Sequence, residues 1–336
     1  MQKVGLWTKL SLLLNVVLLC RLQYTTSDIR LLYSLPSLTS PTTSGNRPTQ
    51  CRRDFVDPFR ARHNYIAPTP RNDMDVLQNK EECGTSPDFT PFFAQGMNAR
   101  SRLDEDKVIY NSFFRNSSIP HTYVEIGGFD GKTESNSRFF DVCLGWEGLL
   151  VEANPTTFQK LVANRPHAHK ASFAASCSEE EARNNKTVGF HDAIFSNAAQ
   201  VDTPNAEAYS GREKTPVQVP CGPLTSLLQD LFCGHVTFFS LDVEGAEPMY
   251  VSCCPGGLLS ALMLSFNRVL ESIDFQQVFV EVFIVENSNN FCTEECESRD
   301  KFRKILLQND YSIFHNVVTK SDLFIHKRSQ FRQAFS

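Results

Sequence analysis

Nowhere in these 336 residues is there a G-x-G-x-x-G run or a Cys-x-x-Cys pair, and no apolar stretch reaches a full membrane span of roughly 20 residues. Without the glycine run, a dinucleotide pyrophosphate site has no loop to sit in. Without paired cysteines, zinc has no ligand set, because Cys292-x-x-x-Cys296 has no matching partner. A basic surplus is missing too: 33 Lys and Arg stand against 38 Asp and Glu, a net charge of −5. That argues against a nucleic-acid partner held by a broad basic surface. No internal repeat is visible.

What is present begins with an export signature. Lys3 and Lys9 precede the apolar run Leu10 to Cys20, and Arg21 closes it. The run suits a signal-peptide core better than a span. Thr25 and Ser27 offer the best small-residue cleavage site, and a short uncleaved anchor remains open. Residues 1–27 therefore read as signal peptide or signal anchor, with membrane attachment through residues 4–22. Residues 28–70, rich in Pro, Ser and Thr, read as a flexible stem. Residues 71–336 read as the folded domain, with its core at 122–327.

Eleven cysteines fit an oxidising compartment. Setting aside Cys20, Cys253 and Cys254 leaves Cys51, Cys83, Cys143, Cys177, Cys221, Cys233, Cys292 and Cys296, whose pairing the spacing leaves open. Asn116-Ser117-Ser118 and Asn185-Lys186-Thr187 are glycosylation sequons. The expected location is the lumen of the ER or Golgi, anchored, or outside the cell.

From Thr122 the chain alternates strand and helix patterns. Strands are expected at Tyr123–Ile126, Gly148–Glu152, Lys170–Ser176, Val236–Asp242 and Val278–Val285. Helices are expected from the first glycine turn to about Leu144, from Pro155 to Asn164, at Leu224–Leu231 and at Lys301–Leu307. Residues 178–215 look irregular, with one β-pair around Val188–Phe195. Tyr311–Val317 and Asp322–His326 read as a closing hairpin. The pattern is α/β and Rossmann-like, a mostly parallel sheet with an antiparallel C-terminal edge.

The chemistry gathers at three strand ends. Glu125-Ile126-Gly127-Gly128-Phe129-Asp130-Gly131 is an acid followed by a glycine turn. The acid would repel a pyrophosphate and suits a cationic ligand, such as the amino group and sulfonium of S-adenosyl-L-methionine. Glu152 ends the second strand, where a carboxylate can accept both ribose hydroxyls, and Asn154 follows it. The expected cofactor contacts are Glu125, Gly127, Gly128, Asp130, Gly131, Glu152 and Asn154. Ser240-Leu241-Asp242-Val243-Glu244-Gly245-Ala246-Glu247 ends the fourth strand, and Asp242 and Glu244 are the expected catalytic pair, facing an acceptor.

YVEIGGFDG, GLLVEANP, VPCGPLTSLL, FFSLDVEGAE and VLESIDF…VENS, in this order, resemble the FkbM-type methyltransferase family, closest to its eukaryotic secretory-pathway, Star-like branch. The resemblance spans Thr122 to Lys327. It implies a class I methyltransferase fold and O-methylation of a hydroxyl on a glycan or small molecule. Some Star-like relatives are viewed as trafficking factors, so a non-catalytic cargo-binding protein is the alternative. One departure stands out: residues 250–268 interrupt the family pattern between GAEPM and VLESIDF. They read as a retained intron or a surface insertion, and transcript sequencing distinguishes the two.

Overall fold

Strands buried on both faces should read as unbroken apolar runs rather than as alternating ones. The computed structural model, described for residues 63–117, 119–190, 217–243, 269–287 and 297–335, places mostly apolar runs, interrupted by Glu125, Thr237, Ser240 and Glu281, at the centre of a seven-stranded sheet. All of these residues belong to the unit Gln50–Ser336. β1 (Thr122–Ile126), β2 (Glu147–Val151), β3 (His169–Ala171), β6 (His235–Leu241) and β7 (Phe279–Glu286) pair in parallel. A separate antiparallel pair joins β4 (Thr187–Phe190) to β5 (Val217–Pro220). The main sheet has the order β3-β2-β1-β6-β7-β9-β8, where β8 is Tyr311–Val318 and β9 is Ser321–His326.

This is a Rossmann-like α/β sheet, mostly parallel. The hairpin supplies its antiparallel element, but the antiparallel strand is β9, inserted between β7 and β8. The edge strand β8 therefore runs with the parallel set. Strand order reverses at β1, which lies between β2 and β6. Ligands of open α/β sheets bind outside the carboxyl ends at such a point.

Period-2 alternation divides the core. Val124, Ile126, Leu149, Val151 and Phe239 face one layer, which includes α7 (Thr225–Phe232) and the inner side of α8 (Glu297–Gln308). Tyr123, Leu150, Phe238 and Val282 face the other. That layer contains α4 (Arg138–Val142) and α5 (Pro155–Asn164). Residues 71–117 add α1 (Asp73–Cys83), α2 (Thr90–Phe93), α3 (Glu105–Ile109) and a π turn, Tyr110–Phe114. Their Phe89, Phe92, Tyr110 and Phe114 pack on Phe139, Phe140 and Trp146. Each such ring, fully buried, contributes about 1.5–3 kcal/mol.

Two expected elements change on inspection of their hydrogen bonds. The third strand leaves the ladder after Ala171, because Ala174 turns to the small sheet: its N–H donates to the Pro220 carbonyl at 2.9 Å. The helix expected after the glycine turn starts only at Arg138, since side-chain acceptors on Glu125 and Asp130 take the loop's N–H groups first. The short α6 (Glu179–Arg183) also forms in the stretch read as irregular, closed by a Ser178–Glu181 capping box.

Residues 63–70, the end of the stretch read as stem, lie along β3. Ile66 exchanges both backbone hydrogen bonds with Lys170, at 2.8 and 3.0 Å, and covers the sheet edge. Cys83–Cys143 joins α1 to the turn after α4, and Cys177–Cys221 joins the segment after β3 to the end of β5. Cys233 is disulfide-bonded as well. Among the described residues no helix is long and apolar enough to cross a membrane. The apolar run at 10–20, Glu244 and the segment 250–268 lie outside the described residues.

Candidate functional site

The site grows from the turn after β1. Gly127 takes φ 85°, and a Cβ there would lie 1.7 Å from the Asp242 carbonyl oxygen, so only glycine lets β1 and β6 close together at this end. A Cβ on Gly128 would meet Leu161 of α5 at 2.8 Å, and one on Gly131 would meet Arg165 at 2.7 Å. Close packing of strand end and helix therefore accounts for these glycines, which the sequence had assigned to ligand approach.

Glu125 is 3% exposed and turned into the loop that follows it. Its carboxylate accepts the Ser135 hydroxyl at 2.8 Å, the Ser137 hydroxyl at 2.6 Å and the Asn136 N–H at 2.7 Å. Burial pushes this carboxyl above the usual range, and the Arg165 guanidinium, 4.0 Å away, pulls it back. These acceptors hold residues 135–137. Asp130 likewise organises the loop, accepting the N–H groups of Lys132 and Thr133 at 2.9 and 2.7 Å and the Thr133 hydroxyl at 2.8 Å. Asn154 is the N-cap of α5, with its side chain on the N–H groups of Thr156 and Thr157.

Glu152 lies differently. It ends β2 with its oxygens on the N–H of Phe129, at 2.8 Å, and of Asn154, at 2.7 Å. Burial raises its carboxyl to about 7 against those bonds and the Thr157 hydroxyl, and among the described residues no cation opposes it. Phe129 itself is held at φ 47°, a left-handed conformation that costs a non-glycine residue about 1–2 kcal/mol. The Glu152 hydrogen bond offsets that strain beside the switch point.

Across β1, Asp242 follows β6 and its N–H donates to the Ile126 carbonyl at 3.1 Å. Register pairs Leu241 with Val285, which brings Glu286 beside Asp242 at the next strand end. Their carboxyls share a hydrogen bond. Burial pushes Asp242 up, that bond lowers it, and the charge on Glu134 raises it again. Glu105 is also raised, first by burial, with charges including Asp242 adding to it. Glu105 comes from the N-terminal elements, whose loop is tied down where the Glu134 N–H donates to the Met97 carbonyl at 2.7 Å.

A family model for the methyltransferase FkbM domain matches residues 125–313, more than half of the chain. The chain belongs to the FkbM methyltransferase family. Among solved structures, it is similar to the Methanococcus jannaschii fibrillarin pre-rRNA processing protein, at 11% identity and a TM-score of 0.30, over 61% of this chain and 65% of that one. The likeness thus spans less than two thirds of that protein's length. Among curated proteins no match is found.

Within this FkbM-family chain the match begins at Glu125 and takes in every expected site residue. The structure brings Glu152 and Asp242 to the two sides of the β1 turn. Two contributors were missed. Glu286 ends a strand on an acid, as Asp242 follows one, and that parallel was legible in VENS. Arg165 gave no signal: nothing in its spacing from Asp141 or Glu125 announces their contact.

Proposed function

We propose that this FkbM-family protein transfers a methyl group from S-adenosyl-L-methionine to a hydroxyl of a glycan or small molecule. Glu152 carries the reading. A buried carboxylate with N–H partners and no opposing cation among the described residues, at the end of the strand beside the switch point, fits a ribose diol. When bound, S-adenosyl-L-methionine supplies an electrophilic methyl on a sulfonium, whose bonding pair stays with sulfur as the methyl leaves. The Asp242–Glu286 pair accepts the acceptor's hydroxyl proton as the new C–O bond forms, and the tied loop at Met97–Glu134 holds one wall of the crevice. Positioning supplies most of the remaining acceleration. Glu125, Asp130, Asn154 and the glycines act by fixing the loop and the helix start.

Glu152→Ala is expected to weaken S-adenosylhomocysteine binding by about 1–3 kcal/mol, read by calorimetry. The pH dependence has a definite sign. The diol binds the ionised carboxylate, and below about 7 the free protein carries the proton. Affinity should therefore fall as pH drops through 7, and Glu152→Gln should flatten that profile. The same raised value makes the contribution of Glu152 to folding stability greatest below the ordinary glutamate range and lost as pH rises through 7. A Glu152→Ala protein with unchanged affinity would remove this residue from the site.

We also place the domain in an oxidising compartment. All five cysteines among the described residues are disulfide-bonded, and Asn116 and Asn185 are exposed. Glycosidase treatment of protein from a eukaryotic secretory host should increase its gel mobility. An unglycosylated, fully reduced protein in cells would sink the placement. If the purified protein binds cofactor yet labels no acceptor, the cargo-binding alternative takes over.

A further inference from the structure

A cavity of about 480 Å³ opens at the β3 edge, outside the crevice just described. Its wall comes from the covering strand, the start of α5, the residue after β3, and β5. Among the described residues no Asp, Glu, Lys, Arg or His lines it, and neither do Glu125, Gly127, Glu152 or Asp242. Three carboxamides do, from three different elements: Asn64, Gln159 and Gln218. Ser172 adds a hydroxyl, and Tyr65 and Phe158 add aromatic surface.

The lining restricts what can enter. An ion would lose its hydration with no counter-charge to replace it. A wholly apolar ligand would cover carboxamides and leave them unpaired, which is also costly. Asn64 and Gln159 have no hydrogen-bond partner among the described residues, so their donors and acceptors are available. Gln218 accepts the Thr187 hydroxyl at 3.0 Å through its oxygen, which leaves its amide hydrogens to donate. Carboxamides reaching in from three sides suit hydroxyls that radiate around a ring more than the single edge of a planar base. The volume lies within the roughly 300–1,000 Å³ of small-ligand sites.

We propose that this cavity is a binding site for a neutral saccharide, separate from the methyl-transfer crevice. An apolar ring face would lie against Tyr65, above the buried Phe158, while hydroxyls exchange hydrogen bonds with Asn64, Gln159, Gln218 and Ser172. The site does not depend on the methyl-transfer reading and can be tested without cofactor.

The test uses the full chain expressed in a eukaryotic secretory host and treated with glycosidase. Saturation-transfer NMR and calorimetry are run with maltotriose, mannotriose, triacetylchitotriose and, as the charged comparator, trigalacturonic acid. At least one neutral trisaccharide should bind and the uronate should not. Gln159→Ala and Gln218→Ala should each weaken that binding roughly 3–10-fold, the scale of one hydrogen bond. Both positions are exposed, so the fold should survive, and S-adenosylhomocysteine affinity should stay unchanged. Three results would overturn the proposal: no neutral trisaccharide binds, both variants bind like wild type, or S-adenosylhomocysteine displaces the sugar. The last would assign the cavity to the cofactor, and it differs from failure of the methyl-transfer reading, in which S-adenosylhomocysteine does not bind at all.

Discussion

Arg165→Met is expected to lower the unfolding free energy by about 3–5 kcal/mol, the cost of leaving buried charge without its partner. Arg165 is 1% exposed, and its five N–H groups all find acceptors. Nε donates to Asp141 at 2.6 Å. One terminal nitrogen serves the Gly131 carbonyl at 3.2 Å and Ser135 at 3.1 Å. The other serves the Tyr123 hydroxyl at 2.7 Å and Ser137 at 3.2 Å. Methionine fills much of the volume but takes from Glu125 its cation partner and leaves Asp141 with Arg71 and the more distant Lys170. Arg165→Lys should recover less than half of the loss, because three donors on one atom cannot span partners that the planar fork reaches on several sides. Denaturant unfolding of the disulfide-intact protein measures it. A loss below about 1 kcal/mol would mean that the network is hydrated or redundant. The loop from Gly131 to Ser137 depends on this side chain, so cofactor affinity should fall with stability.

Much of this arrangement was legible because parallel strands announce themselves. Tyr123–Ile126, Val236–Leu241 and Val278–Val285 are mostly apolar, broken only by Glu125, Thr237, Ser240 and Glu281, and each marks a strand of the sheet. Asn154-Pro155 marks the start of α5 by two independent rules, a capping side chain and a proline in the first turn. The same Asn154 shows where such reading stops: the cap it forms on Thr156 and Thr157 is local, and says nothing of what else the residue meets. Glu125 was identified as special by its charge at a strand end, but its partners lie 10–12 residues on, in a loop with no periodicity. The insertion of β9 between β7 and β8 is also invisible in a hairpin pattern, which fixes that the two strands pair but not which of them meets β7. Strand register was the missing step for Glu286. Once β6 and β7 are parallel neighbours, acids at equivalent ends must meet.

That meeting sets the second large effect. Asp242→Asn should lower methyl transfer by roughly 10²–10⁴-fold, the scale lost with a general base, while S-adenosylhomocysteine affinity stays near wild type. The carboxamide keeps the size of Asp242 and a hydrogen bond to Glu286, and its backbone N–H stays on the Ile126 carbonyl. What disappears is the ability to take a proton. Two half-buried carboxyls that share a hydrogen bond do not both ionise at once, so the pair titrates as a unit and retains one proton when the first is lost. Turnover should therefore rise with pH through the pair's first ionisation, which lies above the ordinary aspartate range because Asp242 is raised by burial. Glu286→Gln should move the same profile. The double variant should cost little more than the worse single one, as expected of groups that act together. The assay is transfer of labelled methyl to a panel of hydroxyl-bearing glycans and small molecules. If Asp242→Asn retains turnover within about fivefold, against the hundredfold expected of a lost base, the pair is not the base. If it abolishes cofactor binding, Asp242 belongs to the binding half of the crevice, and Glu286 alone faces the acceptor.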